Sequence, residues 1–515
     1  MLRKTPQKDL WLSKGFFFLV WTVIFSLAYT QSPLYTSNQN TYYLHGLAQA
    51  GFGYLRQDWL ANTADPTPVF SLLVEWTFRY LGWEGIFYIL YALLMGIYFY
   101  SILGILSTVF DLSKTPAARL ALLSLLVLMH SAALRFAISR VMGINWTFIL
   151  EDGVADQRIL GLVFQPSAFG VFLMLSIYLF LKERSHLAVL TAALAAIFHP
   201  TYLLAAATLT LTYITVDLKE KKQPVKTLSV ALLAFLAVLP ILYYTYTSFW
   251  ATSGEGITTA RQILVEVRLP HHAMVARWMD ATAVIKILLV CLGMYLVKKS
   301  RLSFVMLASF TLAAILTLLQ VWLGEHTLAL LFPWRLSIYL VPLSTGIILA
   351  SFITKVSNLP GMQSPRLQKW IYNFSVGLVL ACILVGAIRL VLDFENKRNI
   401  PEREIFDYVY THSASDEIYL IPVKMQDFRL ATGASTFVDF KSSPYKDSEV
   451  LEWNRRLQLA ERFYQSPDCQ TLHTLAASED ITHLILESDT IIPDCPNLHQ
   501  VYEDPHYSLF AIQAP

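Results

Sequence analysis

Residues 187–216 read LAVLTAALAAIFHPTYLLAAATLTLTYITV, an apolar run with no Asp, Glu, Lys or Arg that is interrupted near its middle by His199-Pro200. Lys182 and Arg184 precede it, and Lys219, Lys221, Lys222 and Lys226 follow it. Short loops rich in Lys and Arg stay in the cytoplasm, so both ends of the run belong on the same side and the chain must enter the membrane and return. Proline lacks an amide donor and disfavours helix at the residue before it, which puts the turn at His199-Pro200. Each limb then has about 12 to 16 residues against the ~20 needed to cross. This predicts a short helical pair ending in the outer half of the bilayer, where non-helical backbone must be buried in protein or line a wet cavity. His199 either faces that cavity or closes the turn on a neighbouring carbonyl.

The same pattern extends outward. Hydrophobic residues make up 55% of the 515-residue chain and charged residues 15%, with a mean hydropathy of +0.49. That is more apolar surface than a soluble core hides, and it is grouped in long runs. Further spans are expected over 15–30, 85–110, 120–138, 160–181, 227–249, 281–297, 302–323, 328–353 and 370–392. Arg3, Lys4, Lys8 and Lys14 hold the N-terminus in the cytoplasm, and Lys114 with Arg119, Lys298 to Arg301 and Lys355 to Lys369 mark later cytoplasmic turns. With the short pair counted as two, the chain is an α-helical polytopic bundle of about eleven membrane helices. An odd count sends the C-terminus outside. Residues 1–393 are then the transmembrane domain of a plasma (inner) membrane protein.

Residues 394–515 form a small extracytoplasmic α/β domain, with helices expected over 402–413 and 449–464 and strands over 417–422, 436–440, 482–486 and 508–512. Export permits a Cys469–Cys495 disulfide, with two unpaired thiols as the alternative. A net charge of +2, from 39 basic and 37 acidic residues, gives no global basic field, so nucleic acid is set aside as a partner.

Acids, arginines and histidines gather in the external loops. The first loop carries Gln57-Asp58-Trp59-Leu60-Ala61-Asn62-Thr63-Ala64-Asp65-Pro66-Thr67-Pro68, and residues 69–81 after it read as an interfacial amphipathic helix. The second loop carries Glu151, Asp152, Asp156 and Arg158; the third Arg268, His271 and His272; the fourth Arg335. Arg135 lies within a span, where an ionisable group faces a bundle interior or snorkels to the headgroups. A carboxylate suits a hydroxyl nucleophile as base, and guanidinium groups suit phosphate oxygens. Asp58 is the expected general base, with Asp65 second because Pro66 gives it a capping role instead. Arg135, Arg268 and Arg335 are the expected phosphate ligands, His199 and His271 the weaker candidates, and Arg158 and His272 further substrate-binding candidates.

This arrangement resembles the GT-C superfamily of membrane glycosyltransferases. The resemblance rests on the acid-bearing first loop (Asp58, Asp65), the interfacial helix, the second-loop acids (Asp152, Asp156), the short central pair and the external C-terminal domain. Residues 429–457, including Phe437-Val438-Asp439-Phe440-Lys441-Ser442-Ser443-Pro444-Tyr445, also look like the tail of a group of bacterial, mainly cyanobacterial, polytopic proteins. The resemblance implies inverting transfer of a sugar from a polyprenyl-phosphate donor to an acceptor on the external face. Asp58 would be the base, and Asp152 or Asp156 would assist or hold a divalent metal ion. The chain lacks the adjacent first-loop acid pair of the protein mannosyltransferases and the WWDYG-like signature of the oligosaccharyltransferases, so the acceptor is open. A transporter or lipid flippase using the same cavity, or a non-catalytic assembly factor, is the alternative.

Overall fold

The computed structural model describes residues 7–112, 115–490 and 495–513. Arg3, Lys4 and Lys114, on which part of the topology rests, lie outside the described residues. Among the described residues six helices are long and apolar enough to cross a membrane: Gly85–Val109, Pro200–Glu220, Pro224–Ser248, Arg301–Leu323, His326–Ser357 and Pro365–Arg398. Lys14–Tyr29, Pro166–Leu181, Ser185–Phe198 and Ala281–Leu296 are shorter apolar helices. The protein is a helical membrane bundle with a small C-terminal sheet region.

Two breaks shape the bundle. The single span expected over 120–138 is two helices, Pro116–Met129 and Ala132–Met142, bent by 56°. His130 ends the first, with Nδ1 on the Leu126 carbonyl at 2.9 Å and Nε2 accepting from the Tyr98 hydroxyl at 2.9 Å. Ser131 starts the second, its Oγ accepting from the Leu134 amide at 3.1 Å, so an end and a cap meet with no residue between them. The break at His199-Pro200 falls where the sequence places it, between Ser185–Phe198 and a 3₁₀ turn over Pro200–Tyr202. The second limb, Leu203–Lys221, has 19 residues and is longer than expected, because Asp217 and Glu220 near its end pair with Arg301 and extend the helix past the apolar run.

The chain divides into two compact units. One comprises residues 1–31, 87–242 and 270–391; the other gathers residues 32–86, 243–269 and 392–515. In the second unit five strands, β1 (Ile418–Leu420), β2 (Ser435–Thr436), β3 (His483–Glu487), β4 (Leu498–Glu503) and β5 (Tyr507–Ile512), form a sheet of order β2-β1-β3-β5-β4. β1 runs parallel to β2 and β3, and β5 antiparallel to β3 and β4.

Strand side chains alternate between faces. Leu420, Leu484 and Leu486 pack under Trp453, Leu457, Ala460 and Phe463 of helix Asp447–Gln465. Tyr419, Ile421 and Ile485 pack on the other face with Ile405, Phe406 and Val409 of helix Arg403–His412. Helix Cys469–Glu479 and edge strand β4, both absent from the sequence reading, complete the domain; β4 is largely exposed and lacks an apolar alternation. Cys469 and Cys495 form a disulfide with a Cα–Cα distance of 5.3 Å.

Candidate functional site

The polar centre of the first unit is built on the loop between Ala132–Met142 and the 3₁₀ turn Pro166–Gly170. The Gly153 amide donates to the Gln157 carbonyl at 2.7 Å and closes a tight turn. Within it Ala155 and Asp156 take left-handed conformations, at φ 58° and 52°, a strain that persists only where surroundings hold it. They do so from several helices. Lys286 Nζ donates to the Gly153 carbonyl at 3.0 Å, the Val154 amide donates to Ser337 Oγ at 2.7 Å, and Thr345 Oγ1 donates to the Leu150 carbonyl at 3.0 Å. His272 Nδ1 donates to the Ala155 carbonyl at 2.8 Å. A Cβ on Gly153 would collide with Ser337.

The loop carries two acid–arginine pairs. Glu151 Oε1 lies 3.3 Å from Arg135 Nη1, and Arg135 also donates to the carbonyls of His130 and Tyr29. Asp152 Oδ2 lies 2.8 Å from Arg158 Nη2. Both guanidinium groups lie over the Phe148 ring, their centres 5.5 Å and 4.5 Å from its centroid. Arg135 is buried, whereas the Arg158 side chain is 30% exposed.

Asp152 is 2% exposed and its Oδ1 is buried without a hydrogen-bond partner. Burial pushes its carboxyl up to about 7 against the opposing pull of Arg158 and Lys286. Burial also raises the Glu151 carboxyl, with Arg135 opposing, and holds His272 well below the usual histidine range with help from His271.

Arg335 anchors the other side of this loop. Its Nε donates to Gln157 Oε1 at 2.8 Å, and its Nη1 donates to His199 Nε2 at 2.8 Å and to Thr201 Oγ1. An arginine cannot accept, so His199 carries its ring proton on Nδ1. The His271 ring lies tilted against His272, centroid to centroid 4.0 Å, and Asp156 is exposed. The structure therefore gathers Arg135, Asp152, Asp156, Arg158, His199, His271, His272 and Arg335 in one unit. Glu151, named with the second-loop acids, joins them, and so do Gln157 and Lys286, which were unforeseen; a lone lysine in the apolar helix Ala281–Leu296 was the visible signal for the last.

Asp58, Asp65 and Arg268 belong to the other unit. Asp58 was expected as the base, yet it is 0% exposed. Its Oδ1 accepts from the Leu60 and Ala61 amides at 2.9 and 3.3 Å, and its Oδ2 from Arg429 Nε at 2.7 Å and the Thr436 amide at 2.9 Å. Arg429 in turn pairs with Asp439, whose Oδ1 accepts from the Ser442 amide at 2.7 Å. A carboxylate with four donors has no lone pair left for an incoming proton, so the geometry gives Asp58 a structural task. Asp65 Oδ1 accepts from the Thr67 amide at 2.8 Å, a local turn just ahead of helix Pro68–Trp76; the N-cap is Thr67 and takes no side-chain cap bond, so the capping role that Pro66 suggested for Asp65 is not formed.

Neither Asp152 nor Asp156 belongs to a group of three close-set ligand side chains among the described residues. Among the described residues the one group of three ligand atoms close enough together is Cys469, His473 and Cys495, and its two sulfurs are joined in the disulfide.

Residues 401–460, which include Arg429, Asp439 and Lys441-Ser442-Ser443, match a domain of unknown function (DUF6798). No curated protein matches the chain.

Proposed function

We propose that the chain is a GT-C-like membrane glycosyltransferase that moves a sugar from a polyprenyl-phosphate donor to an acceptor on the extracytoplasmic face, and that its base is Asp152. The observation that carries this is the buried Asp152 carboxylate, fixed through Oδ2 by Arg158 while Oδ1 has no partner. A carboxyl held near 7 by burial is matched to proton transfer at neutral pH. In the step proposed, the acceptor oxygen bonds to the anomeric carbon and passes its proton to Asp152 Oδ1. The bond from that carbon to the phosphate oxygen breaks, and the electron pair leaves with the lipid phosphate. Arg158, partly exposed, and Arg335 supply planar guanidinium donors for the departing oxygens.

The proposal counts the six long helices, the bent pair as one span and the four shorter apolar helices as eleven membrane helices, and the Lys and Arg pattern of the loops supports a cytoplasmic N-terminus with residues 394–515 outside. Sugar transfer from a labelled polyprenyl-phosphate sugar by the purified protein in nanodiscs tests it. Product should form with the parent and be lost with Asp152→Asn; a parent that converts no such donor would end the transferase reading.

The broken helices at His130-Ser131 and His199-Pro200 support a second reading, a carrier or lipid flippase. Movement of the labelled lipid across the bilayer without any new glycosidic product would favour it.

A further inference from the structure

The second unit holds two cations, Arg268 and Lys441, that make no ion pair among the described residues. Arg268 ends the helical turn Leu264–Arg268, and its Nη2 donates to the Lys441 carbonyl, to which Thr41 Oγ1 also donates at 3.3 Å. These bonds fix the Lys441 backbone beside the guanidinium group. The Arg268 Nε–H is buried and has no hydrogen-bond partner among the described residues. The Lys441 ammonium makes no ion pair among the described residues, and burial, with Arg268 adding to it, pushes it down to about 8. Asp439, the acid whose charge acts on Lys441, is already committed to Arg429 and to the Ser442 amide.

Two hydroxyls follow directly in sequence. Ser442 and Ser443 are 1% and 3% exposed, and neither Oγ has a hydrogen-bond partner. A buried hydroxyl left unpaired is destabilising, as are two like charges half out of water. One ligand chemistry relieves all of these at once, a tetrahedral anion that accepts from an ammonium, a guanidinium N–H and hydroxyls together. A carboxylate has fewer acceptor sites for such a set.

We propose that Arg268, Lys441, Ser442 and Ser443 form a binding site for a phosphoryl group. It stands on the second unit alone and does not depend on chemistry at Asp152, so a failed transfer assay and a failed binding assay are separate results. The phosphoryl group belongs either to a soluble phosphate ester or to a lipid headgroup, and the test has one arm for each.

In the first arm the full chain, in phosphatidylcholine nanodiscs at constant ionic strength and pH 7, is titrated with inorganic phosphate by calorimetry. In the second, its melting temperature is compared between phosphatidylcholine discs and discs containing phosphatidic acid. Saturable phosphate binding assigns the soluble source, and stabilisation by phosphatidic acid alone assigns the lipid source. In either case Lys441→Gln should weaken the effect about tenfold, the cost of one charge-assisted contact, and Ser443→Ala should weaken it several-fold. Ser443→Ala should melt at or above the parent temperature without ligand, because it removes an unpaired buried hydroxyl. Binding in neither arm, or binding at parent strength in both variants, would overturn the site.

Discussion

Asp58 in one unit and Asp152 in the other are both buried aspartates whose Oδ2 lies within 3 Å of an arginine, at 2.7 and 2.8 Å. They differ in what the second oxygen does. Asp58 Oδ1 takes two amides, whereas Asp152 Oδ1 takes none. The arginines differ in the same sense: Arg429 is 3% exposed and bracketed by Asp58 and Asp439, while Arg158 is 30% exposed and among the described residues forms its ion pair with Asp152. A saturated ion pair organises structure, and one with a spare lone pair and a partly open cation retains capacity for a ligand. Residue type and loop position do not separate the two cases; the donor census does.

The largest effect should come from breaking the saturated group. Arg429→Ala leaves Asp58 and Asp439 buried without their cation and should cost about 3–5 kcal/mol, read as a fall in melting temperature and loss of soluble yield. Reducing the Cys469–Cys495 disulfide, which closes a loop of sequence separation 26, should cost about 2–4 kcal/mol and leave Asp152 chemistry intact. Protease sensitivity within residues 392–515 with and without reductant checks it. Gly153→Ala forces a methyl against Ser337 and should cost about 1–3 kcal/mol, lowering transfer more than global stability because the acid loop is displaced.

The pH dependence sharpens the contrast further. The Asp152 carboxyl is raised to about 7, so it is protonated below that value, and a base that must accept a proton is lost as pH falls. The transfer rate should be about half-maximal near pH 7 and fall about tenfold for each further pH unit. The stability sign is opposite: a carboxyl raised in the folded state contributes stability at low pH that is lost as pH rises through about 7. Rate and melting temperature measured from pH 5 to 9 should therefore move in opposite senses across this window, and Asp152→Asn should abolish that pH dependence of the melting temperature.

Much of the bundle was legible because long apolar runs and flanking Lys and Arg act locally. The His199-Pro200 break could be read because proline removes a donor wherever it stands. The His130-Ser131 break could not, since neither residue is a strong breaker; its signal was Ser131 three residues ahead of the Leu134 amide that it caps. Of the site, Arg158 and Asp152 were visible as polar residues in one loop, and Lys286 as a lysine in an apolar helix. The role of Asp58 was hidden because its partner Arg429 lies 371 residues away, a distance over which no local pattern operates. Its burial and four donors are tertiary facts.

The most direct test of this account sets Asp58→Asn beside Asp152→Asn, each purified in nanodiscs and measured for melting temperature and for sugar transfer per folded molecule from a polyprenyl-phosphate sugar. Asp58→Asn should melt well below the parent while its folded fraction keeps most of the transfer rate. Asp152→Asn should melt near the parent and lose about 10²- to 10⁴-fold in rate. A folded, inactive Asp58→Asn beside an active Asp152→Asn would contradict the assignment and return the base to the first loop.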